Sequence, residues 1–255
     1  MISKNKIKLI KSLELKKYRN ELQLFVAEGN KLVGDMLPYF ECELLVAKSA
    51  WLKAQGNIEA KEVIIAEEED LHKASLLKTP QEVLALFRKP HYDLKEVCPE
   101  KDLVLASDGI QDPGNLGTII RLADWFGIRH IVCSLDTVDA FSPKVVQATM
   151  GALARVKVHY TDLEHFLTAP QNSAFPLYGT FLDGENIYGK PLRNNGIIVM
   201  GNEGNGIRPT IGKLVNERLF IPNYPQGEST SESLNVAIAT AIVCAEFRRR
   251  QVNIL

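Results

Sequence analysis

Three short stretches of this sequence place polar side chains and glycines directly after apolar runs. Glycine lets a ligand approach the backbone closely, and carboxylate, carboxamide and guanidinium groups can then orient that ligand. In open parallel sheets, ligand sites of this kind lie beyond the carboxyl ends of the strands. This pattern therefore predicts a ligand site at the second and third stretches. The polar residues of the three stretches are Asn115 and Arg121 in the first, Glu203 in the second, and Ser233 and Asn235 in the third.

The first stretch leads into a helix predicted over 116–126. Asn115 suits the N-cap of this helix, and Gly127 suits the position that ends it. Arg121 lies about 140° around the helix from Leu116, off the apolar stripe, and can lean back over the Asn115 loop. The alternative is a solvated arginine on an ordinary capped helix. The stripe consists of Leu116, Ile119, Ile120 and Ala123.

The second stretch is the loop 201–206, whose glycines follow the order Gly-x-x-Gly-x-Gly. A dinucleotide-binding fingerprint has the order Gly-x-Gly-x-x-Gly and follows the first strand of its domain. Both the order and the position of the glycines therefore disagree with that fingerprint. Glu203 within the loop is either an oriented carboxylate or a solvated turn residue.

The third stretch leads into a helix predicted over 233–250, which is apolar almost all round as far as Phe247. Ser233 could cap this helix. Asn235 should have a specific partner, because asparagine is a mediocre helix former and unpaired polar groups are costly in apolar surroundings. We expect the helix to be a core element or a subunit interface.

From Leu103 onward, short apolar strands alternate with helical segments, which predicts a parallel sheet covered on both faces. The predicted strands are 103–107, 130–134, 154–159, 177–181, 197–200 and 219–221. The other predicted helices of this part are 143–153, 162–168 and 209–216.

We expect two domains, a small α/β domain over residues 1–95 and a larger domain over residues 100–255, separated by a polar, proline-marked stretch. Residues 3–20 are predicted to form one basic helix. This helix is either a solvated amphipathic face or a contact to RNA phosphates, to which Tyr18 and Arg19 would contribute. In the small domain, strands are predicted at 23–27, 43–47, 62–66 and 81–87, and helices at 30–37, around 51 and from 67.

The 255-residue chain is 45% hydrophobic and 24% charged, with a formal net charge of -1, as in ordinary soluble proteins. This balance gives no general attraction to nucleic acid, so RNA binding must depend on local patches. The sequence has no apolar run long enough for a membrane span and no signal peptide, so we expect a cytoplasmic protein. The dispersed cysteines are interpreted as reduced thiols, and the dispersed histidines have no metal-ligand spacing.

Taken together and in this order, the three stretches resemble the motifs of the SpoU (TrmH-like) branch of the SPOUT RNA methyltransferases. The matching segments are 115–121 (Asn-Leu-Gly-Thr-Ile-Ile-Arg), 201–207 (Gly-Asn-Glu-Gly-Asn-Gly-Ile), and Ile221-Pro222 with 233–236 (Ser-Leu-Asn-Val). The likeness covers roughly residues 100 to 250. The basic N-terminal segment and residues 25–29 are similar to the smaller RNA-recognition domain that many members carry in front.

The resemblance implies an α/β fold in which a C-terminal parallel-sheet SPOUT domain, threaded into a trefoil knot, follows a small α/β RNA-recognition domain. It also implies S-adenosylmethionine as methyl donor, an RNA ribose 2′-hydroxyl as acceptor, and a homodimer. Carried over by position, the cofactor-binding residues are Gly201, Ile221 and Leu234, and the catalytic cluster is Asn115, Arg121, Glu203, Ser233 and Asn235.

One departure from the family pattern concerns the loop 223–232, which is longer than the usual spacing. Several hydroxyl groups therefore remain alternatives for the one that faces the site, namely those of Ser229, Thr230, Ser231 and Ser233.

In the mechanism that we expect, Arg121 binds the adjacent phosphate and orients the ribose, since an arginine is a poor base. The hydroxyl proton then leaves through that phosphate or through a water. The two-domain layout favours ribosomal RNA over transfer RNA as the substrate. Two other classes compete, a non-catalytic RNA-binding protein that keeps the fold and a nucleotide-cofactor oxidoreductase. The intact polar residues argue against the first, and the missing glycine fingerprint argues against the second.

Overall fold

The computed structural model describes residues 1–225 and 233–251, which divide into two units. The N-terminal unit consists of residues 1–91 and 139–155, and the C-terminal unit consists of residues 92–138 and the described residues from 156 onward. The segment 139–155 follows the predicted domain boundary in sequence, yet it groups with the N-terminal unit. Among the described residues, no helix combines the length and the apolar character needed to cross a membrane.

Helices and strands alternate through residues 1–91. The helices are α1 (Lys4–Ser12), α2 (Lys16–Leu22), α3 (Asn30–Met36), α4 (Ser49–Gln55) and α5 (Glu68–Ala74). The strands are β1 (Leu24–Glu28), β2 (Cys42–Ala47), β3 (Val63–Ile65) and β4 (Val83–Arg88). They form one sheet in the order β1-β4-β2-β3, in which β4 is antiparallel to both neighbours and β2 is parallel to β3. The predicted small α/β fold is confirmed.

The basic segment at the N-terminus forms two helices instead of the predicted single one. Leu13 lies between α1 and α2 and is fully buried. The guanidinium of Arg19 is also buried, where it forms an ion pair with Asp139 at 2.7 Å and donates to the Leu13 carbonyl at 2.8 Å. Arg19 is therefore occupied inside the unit, which corrects the hypothesis that it contacts RNA. Tyr18 remains exposed.

The rest of the chain contains the predicted succession of strands and helices. The strands are β5 (Leu103–Ser107), β6 (His130–Ser134), β7 (Lys157–Thr161), β8 (Leu177–Asn186), β9 (Gly196–Met200) and β10 (Glu217–Phe220). The helices are α6 (Pro113–Trp125), α7 (Pro143–Thr149), α8 (Leu163–Thr168), α9 (Pro170–Ser173), α10 (Pro209–Gly212) and α11 (Val236–Arg249), with 3-10 turns at Leu94–Glu96 and Ala152–Ala154.

The six strands β5 to β10 form one parallel sheet in the order β10-β8-β9-β5-β6-β7. Its central strands β5 and β9 are buried along their whole length, because helices cover a parallel sheet on both faces. The predicted parallel α/β fold is confirmed. Core residues on one side of the sheet include Val104, Ala106, Val132, Leu177, Ile197 and Val199.

Some element boundaries differ from the sequence prediction for local reasons. The helix predicted over 143–153 ends at Thr149, because Met150 and Gly151 have left-handed φ angles of 51° and 93°. The strand predicted from 154 begins at Lys157, since the 3-10 turn Ala152–Ala154 precedes it.

The helices α6 and α11 pack side by side and run in the same direction. Asn235 donates to Asn115 at their amino ends, and Arg248 Nε donates to the Phe126 carbonyl at 2.7 Å at their carboxyl ends. Gly127, with a φ of 66°, ends α6 as predicted. One face of α11 is therefore a core element. Its buried residues are Val236, Ala237, Thr240, Val243, Cys244, Glu246 and Phe247.

Two histidines meet where β6 and β7 pair. His130 Nδ1 lies 3.0 Å from His159 Nε2, and the two rings stack with their centroids 5.3 Å apart. Burial, followed by the charge of His130, lowers the pKa of His159 to about 4. Burial also lowers the pKa of His130. The C-terminal unit therefore favours the neutral pair.

We predict that the protein loses stability as the pH falls from about 6.5 toward 4. Unfolded His159 binds a proton near its usual pKa of 6.5, whereas the folded residue resists it down to about 4. The unfolded state therefore binds more protons in this window, and the free energy of unfolding falls by roughly 3 kcal/mol across it. Urea unfolding at several pH values measures the effect.

The free energy of unfolding of the His159→Gln variant should depend less on pH between 6.5 and 4 than that of the wild type, because the variant lacks the imidazole whose pKa is lowered. The exposed His165 offers a matched control. A His165→Gln protein should keep the wild-type slope, and an equal slope in all three proteins would contradict the prediction.

Candidate active site

Two of the three predicted polar stretches begin side by side at the carboxyl edge of the parallel sheet. Ser107 at the end of β5 pairs with Met200 at the end of β9. The loops 108–112 and 201–206 therefore leave the sheet next to each other. The third stretch enters α11, which packs against α6. All three stretches belong to the C-terminal unit.

The carboxylate of Glu203 joins the first two stretches. Its Oε1 accepts from Asn115 Nδ2 at 3.0 Å and from the Asp112 backbone N–H at 3.3 Å. Its Oε2 accepts a longer hydrogen bond of 3.4 Å from the Gln111 backbone N–H. The negative charge thus lies at the first turn of α6, where a helix dipole favours an anion. Glu203 is an oriented carboxylate and not a solvated turn residue.

A side-chain bond between two asparagines joins the third stretch to the first. Asn235 Nδ2 donates to Asn115 Oδ1 at 2.9 Å. The carboxamide of Asn115 consequently donates to Glu203 and accepts from Asn235, so both of its ends are fixed. This partner explains why an asparagine stands at the mouth of an apolar helix.

The helix caps differ from those predicted. Asp112 caps α6 by accepting from the Asn115 backbone N–H at 2.8 Å, so Asn115 lies inside the helix. Asn235 caps α11 by accepting from the Ala237 and Ile238 backbone N–H groups. Ser233 precedes that cap and is exposed. The predicted capping roles of Asn115 and Ser233 are therefore wrong.

Asn202 organises the glycine-rich loop, and the sequence analysis assigned it no role. Its Oδ1 accepts from the backbone N–H groups of Gly204 and Asn205, and its Nδ2 donates to the Gly109 carbonyl at 2.7 Å. Its backbone also pairs with Gly206 through two bonds of 2.9 Å. Asparagine is common in tight turns because its side chain can hydrogen-bond to the backbone two residues further along the chain. This signal was present in the sequence.

Gly201 is required by the way in which this loop closes on itself. A Cβ atom at this position would lie closer than 3.0 Å to backbone atoms of Gly206 and Ile207. The backbone therefore leaves no space for any side chain at position 201.

Arg121 lies on the exposed face of α6 and does not take part in the hydrogen-bonded cluster. Its guanidinium has no hydrogen-bond or ion-pair partner among residues 1–225 and 233–251. Thr118, one turn nearer to Asn115, is also exposed. The structure thus brings Asn115, Glu203 and Asn235 together and leaves the arginine available to a ligand.

Two of the three residues expected to bind S-adenosylmethionine are accessible to a ligand. Ile221 is partly exposed and the Leu234 side chain is 50% exposed, so both offer apolar surface. A Cβ atom at Gly206 would meet nothing within 4 Å, so open space faces that part of the loop. The loop residues Ser229, Thr230 and Ser231 lie outside the described part of the chain. Among the described residues, no group of three His, Cys, Asp or Glu side chains could hold a metal ion.

Comparisons with known proteins identify the family of the chain. Residues 102–245 match the model of the SpoU rRNA Methylase family, and residues 4–85 match that of the MRM3-like substrate binding domain. The chain is 30% identical to the 23S rRNA (guanosine(2553)-2′-O)-methyltransferase RlmP of Bacillus subtilis, over 95% of this chain and 96% of that protein.

Solved structures are similar over almost the whole length. A putative RNA methyltransferase of the TrmH family from Porphyromonas gingivalis is 45% identical, with a TM-score of 0.89 over 98% of this chain and 99% of that one. The AdoMet-bound rRNA methyltransferase from Sinorhizobium meliloti is 30% identical, with a TM-score of 0.84 over 99% of this chain and 97% of that one. Sequence, fold and motif geometry agree, and this chain belongs to the SpoU rRNA Methylase family.

Proposed function

We propose that this protein transfers a methyl group from S-adenosylmethionine to the ribose 2′-hydroxyl of a guanosine in 23S ribosomal RNA. The observation that carries the proposal is the Glu203–Asn115–Asn235 cluster, which joins all three motifs at the first turn of α6, the helix that also carries Arg121. The name of the Bacillus subtilis relative supports the guanosine and the RNA, and that relative is matched over nearly its whole length. The solved AdoMet-bound relative supports the methyl donor.

Arg121 binds the phosphate next to the target ribose in this proposal. A guanidinium is always charged near neutral pH, so it orients an anion well and is a poor general base. The 2′-hydroxyl proton then passes to that phosphate or to a water. Because methyl transfer is an in-line displacement, holding the hydroxyl at the correct angle is the main task of the site.

The carboxamides of Asn115 and Asn235 orient the ribose, while Glu203 holds Asn115 in one rotamer. Gly201, Ile221 and Leu234 bind S-adenosylmethionine, and Ser233 is placed with the catalytic residues by its position in the third motif, two residues before Asn235. When bound, S-adenosylmethionine supplies an electrophilic methyl group on a sulfonium. An enzyme that acts on ribosomal RNA in this way would work in the cytoplasm.

The proposal is tested with the full chain, methyl-labelled S-adenosylmethionine and unmodified 23S rRNA transcribed in vitro. Label should enter a guanosine and should survive alkaline hydrolysis as a dinucleotide, because a methylated 2′-oxygen cannot attack the neighbouring phosphate. Label in a base, in transfer RNA only, or in no RNA would contradict the proposal. Transcripts of 16S rRNA and transfer RNA provide the controls.

The proposed active form is a homodimer that covers the exposed side of α11. Ile238 on this helix is 53% exposed, and Leu234 before it is exposed as well. Exposed apolar residues on the outer side of an otherwise buried helix are typical of a subunit interface.

We predict that Ile238→Lys converts the dimer into a monomer, because a lysine in an apolar interface loses its hydration without gaining a partner. Light scattering coupled to size-exclusion chromatography measures the mass. Leu182→Lys is the control, since this leucine is exposed on a different element, β8. A monomeric wild type, or a dimeric Ile238→Lys protein, would contradict the proposed dimer.

A further inference from the structure

A buried carboxylate lies directly behind the proposed catalytic loop. Asp108 follows β5 and is fully buried. Its Oδ2 accepts from the Arg208 backbone N–H at 2.8 Å, and its Oδ1 accepts from Arg208 Nε at 2.6 Å. Arg208 Nη2 forms an ion pair with the same carboxylate and with Asp136 at 3.2 Å. Burying a carboxylate is costly unless it is paired in this way.

The dipeptide Asp108-Gly109 holds both ends of the glycine-rich loop. At the start of the loop, the Gly109 carbonyl accepts from Asn202, and the Asp108 backbone N–H donates to the Met200 carbonyl at 2.9 Å. At its end, the Asp108 carboxylate binds Arg208. Glu203 projects from the middle of this doubly anchored loop toward α6. The position of the Glu203 carboxylate therefore depends on the two anchors.

We infer that Asp108 is a positioning residue for methyl transfer, acting through Arg208 to hold the loop 201–208 in the shape that sets Glu203 against Asn115. The inference rests on the proposed function and assigns a role to two residues outside the three motif clusters. Asp108 touches neither ribose nor methyl donor in this arrangement. Its effect reaches the reaction through the loop.

The substitution Asp108→Asn tests the charge while it keeps the shape. An asparagine has one accepting oxygen, so its amide nitrogen would face either the backbone N–H or the guanidinium N–H groups of Arg208. The loop would then shift from its anchor. A shift of about 1 Å at a catalytic group can lower the rate about 100-fold, so we expect kcat of Asp108→Asn to fall by about that factor.

The matched variants are Arg208→Gln and Asp136→Asn, assayed in the full chain on 23S rRNA. Arg208→Gln loses the guanidinium but keeps the backbone bond to Asp108, so we expect a loss of about tenfold. The double variant Asp108→Asn/Arg208→Gln should be no worse than Asp108→Asn alone, because both changes break one contact. Asp136→Asn should keep nearly wild-type activity. The Asp136 side chain is 54% exposed and contacts Arg208 only at Nη2, and exposed ion pairs contribute little.

Further measurements separate positioning from a loss of folding. The KM for RNA should remain within about twofold of wild type in all variants, whereas kcat and the KM for S-adenosylmethionine should change. The double variant keeps the test valid if a single variant does not fold, because it leaves neither charge of the pair buried alone. Additive losses in the double variant, or equal losses in Asp108→Asn and Asp136→Asn, would overturn the inference. An inactive wild type would instead contradict the proposed function.

Discussion

Replacing Arg121 with alanine is expected to lower kcat for 2′-O-methylation about 1,000-fold while the affinity for S-adenosylmethionine stays within about twofold. The substitution removes the charged group that binds the phosphate and fixes the ribose, and one such preorganised group contributes a factor of about 100 to 1,000. The side chain is exposed and has no partner among the described residues, so its loss should change the free energy of unfolding by less than about 0.5 kcal/mol. Single-turnover methylation and calorimetry measure the two quantities.

The exposed Arg129 provides a control with the same change in charge. It immediately precedes β6 and therefore lies at the amino edge of the sheet, opposite to the site. Arg129→Ala should methylate RNA like the wild type. Arg121→Lys should recover only part of the activity, because an ammonium keeps the charge and loses the planar fork that binds phosphate. Wild-type-like methylation by Arg121→Ala would remove this arginine from the mechanism.

The fold of the C-terminal unit could be predicted from sequence because strands that are buried on both faces have a simple sequence pattern. Their residues form short apolar runs, and four of the helices between them, α6, α7, α9 and α10, begin at proline. The strand Leu103–Ser107 was predicted residue for residue. The same reasoning missed the start of α6, although Asp112-Pro113 carries the usual pattern of a cap followed by proline. Asn115 is an equally suitable capping type, and residue type alone does not choose between them.

Contacts between distant parts of the chain could not be read from local patterns. The partner of Arg19 is Asp139, which is 120 residues away, so the arginine resembled its solvated lysine neighbours in the sequence. The Asn115–Glu203 bond spans 88 residues. The resemblance to a known family implied only that both residues belong to one catalytic cluster, and periodicity gave no indication of the bond. Asp108 and Arg208 lie outside the motifs of that family, and only the folded chain brings their charges together.

Replacing Gly201 with alanine is expected to open the glycine-rich loop, with a loss of about 1 to 3 kcal/mol in the free energy of unfolding. The added Cβ would collide with backbone atoms of Gly206 and Ile207, and backbone cannot rotate away as a side chain can. The two bonds between Asn202 and Gly206 would have to break. Affinity for S-adenosylmethionine should fall about tenfold to 100-fold, since the loop would no longer present its backbone to the ligand.

Gly204→Ala is the matched control for this loop. Neither Gly201 nor Gly204 has a positive φ angle, so the two substitutions carry no difference in backbone strain. A Cβ at Gly204 has Asn202 Oδ1 at 3.7 Å as its nearest neighbour, which is an ordinary contact. Its stability should therefore stay within about 0.5 kcal/mol of the wild type. Urea unfolding and calorimetry measure the stability and the S-adenosylmethionine affinity of both variants. Equal losses in the two variants would contradict the prediction, because lack of space for a Cβ atom would then not explain the glycine at position 201.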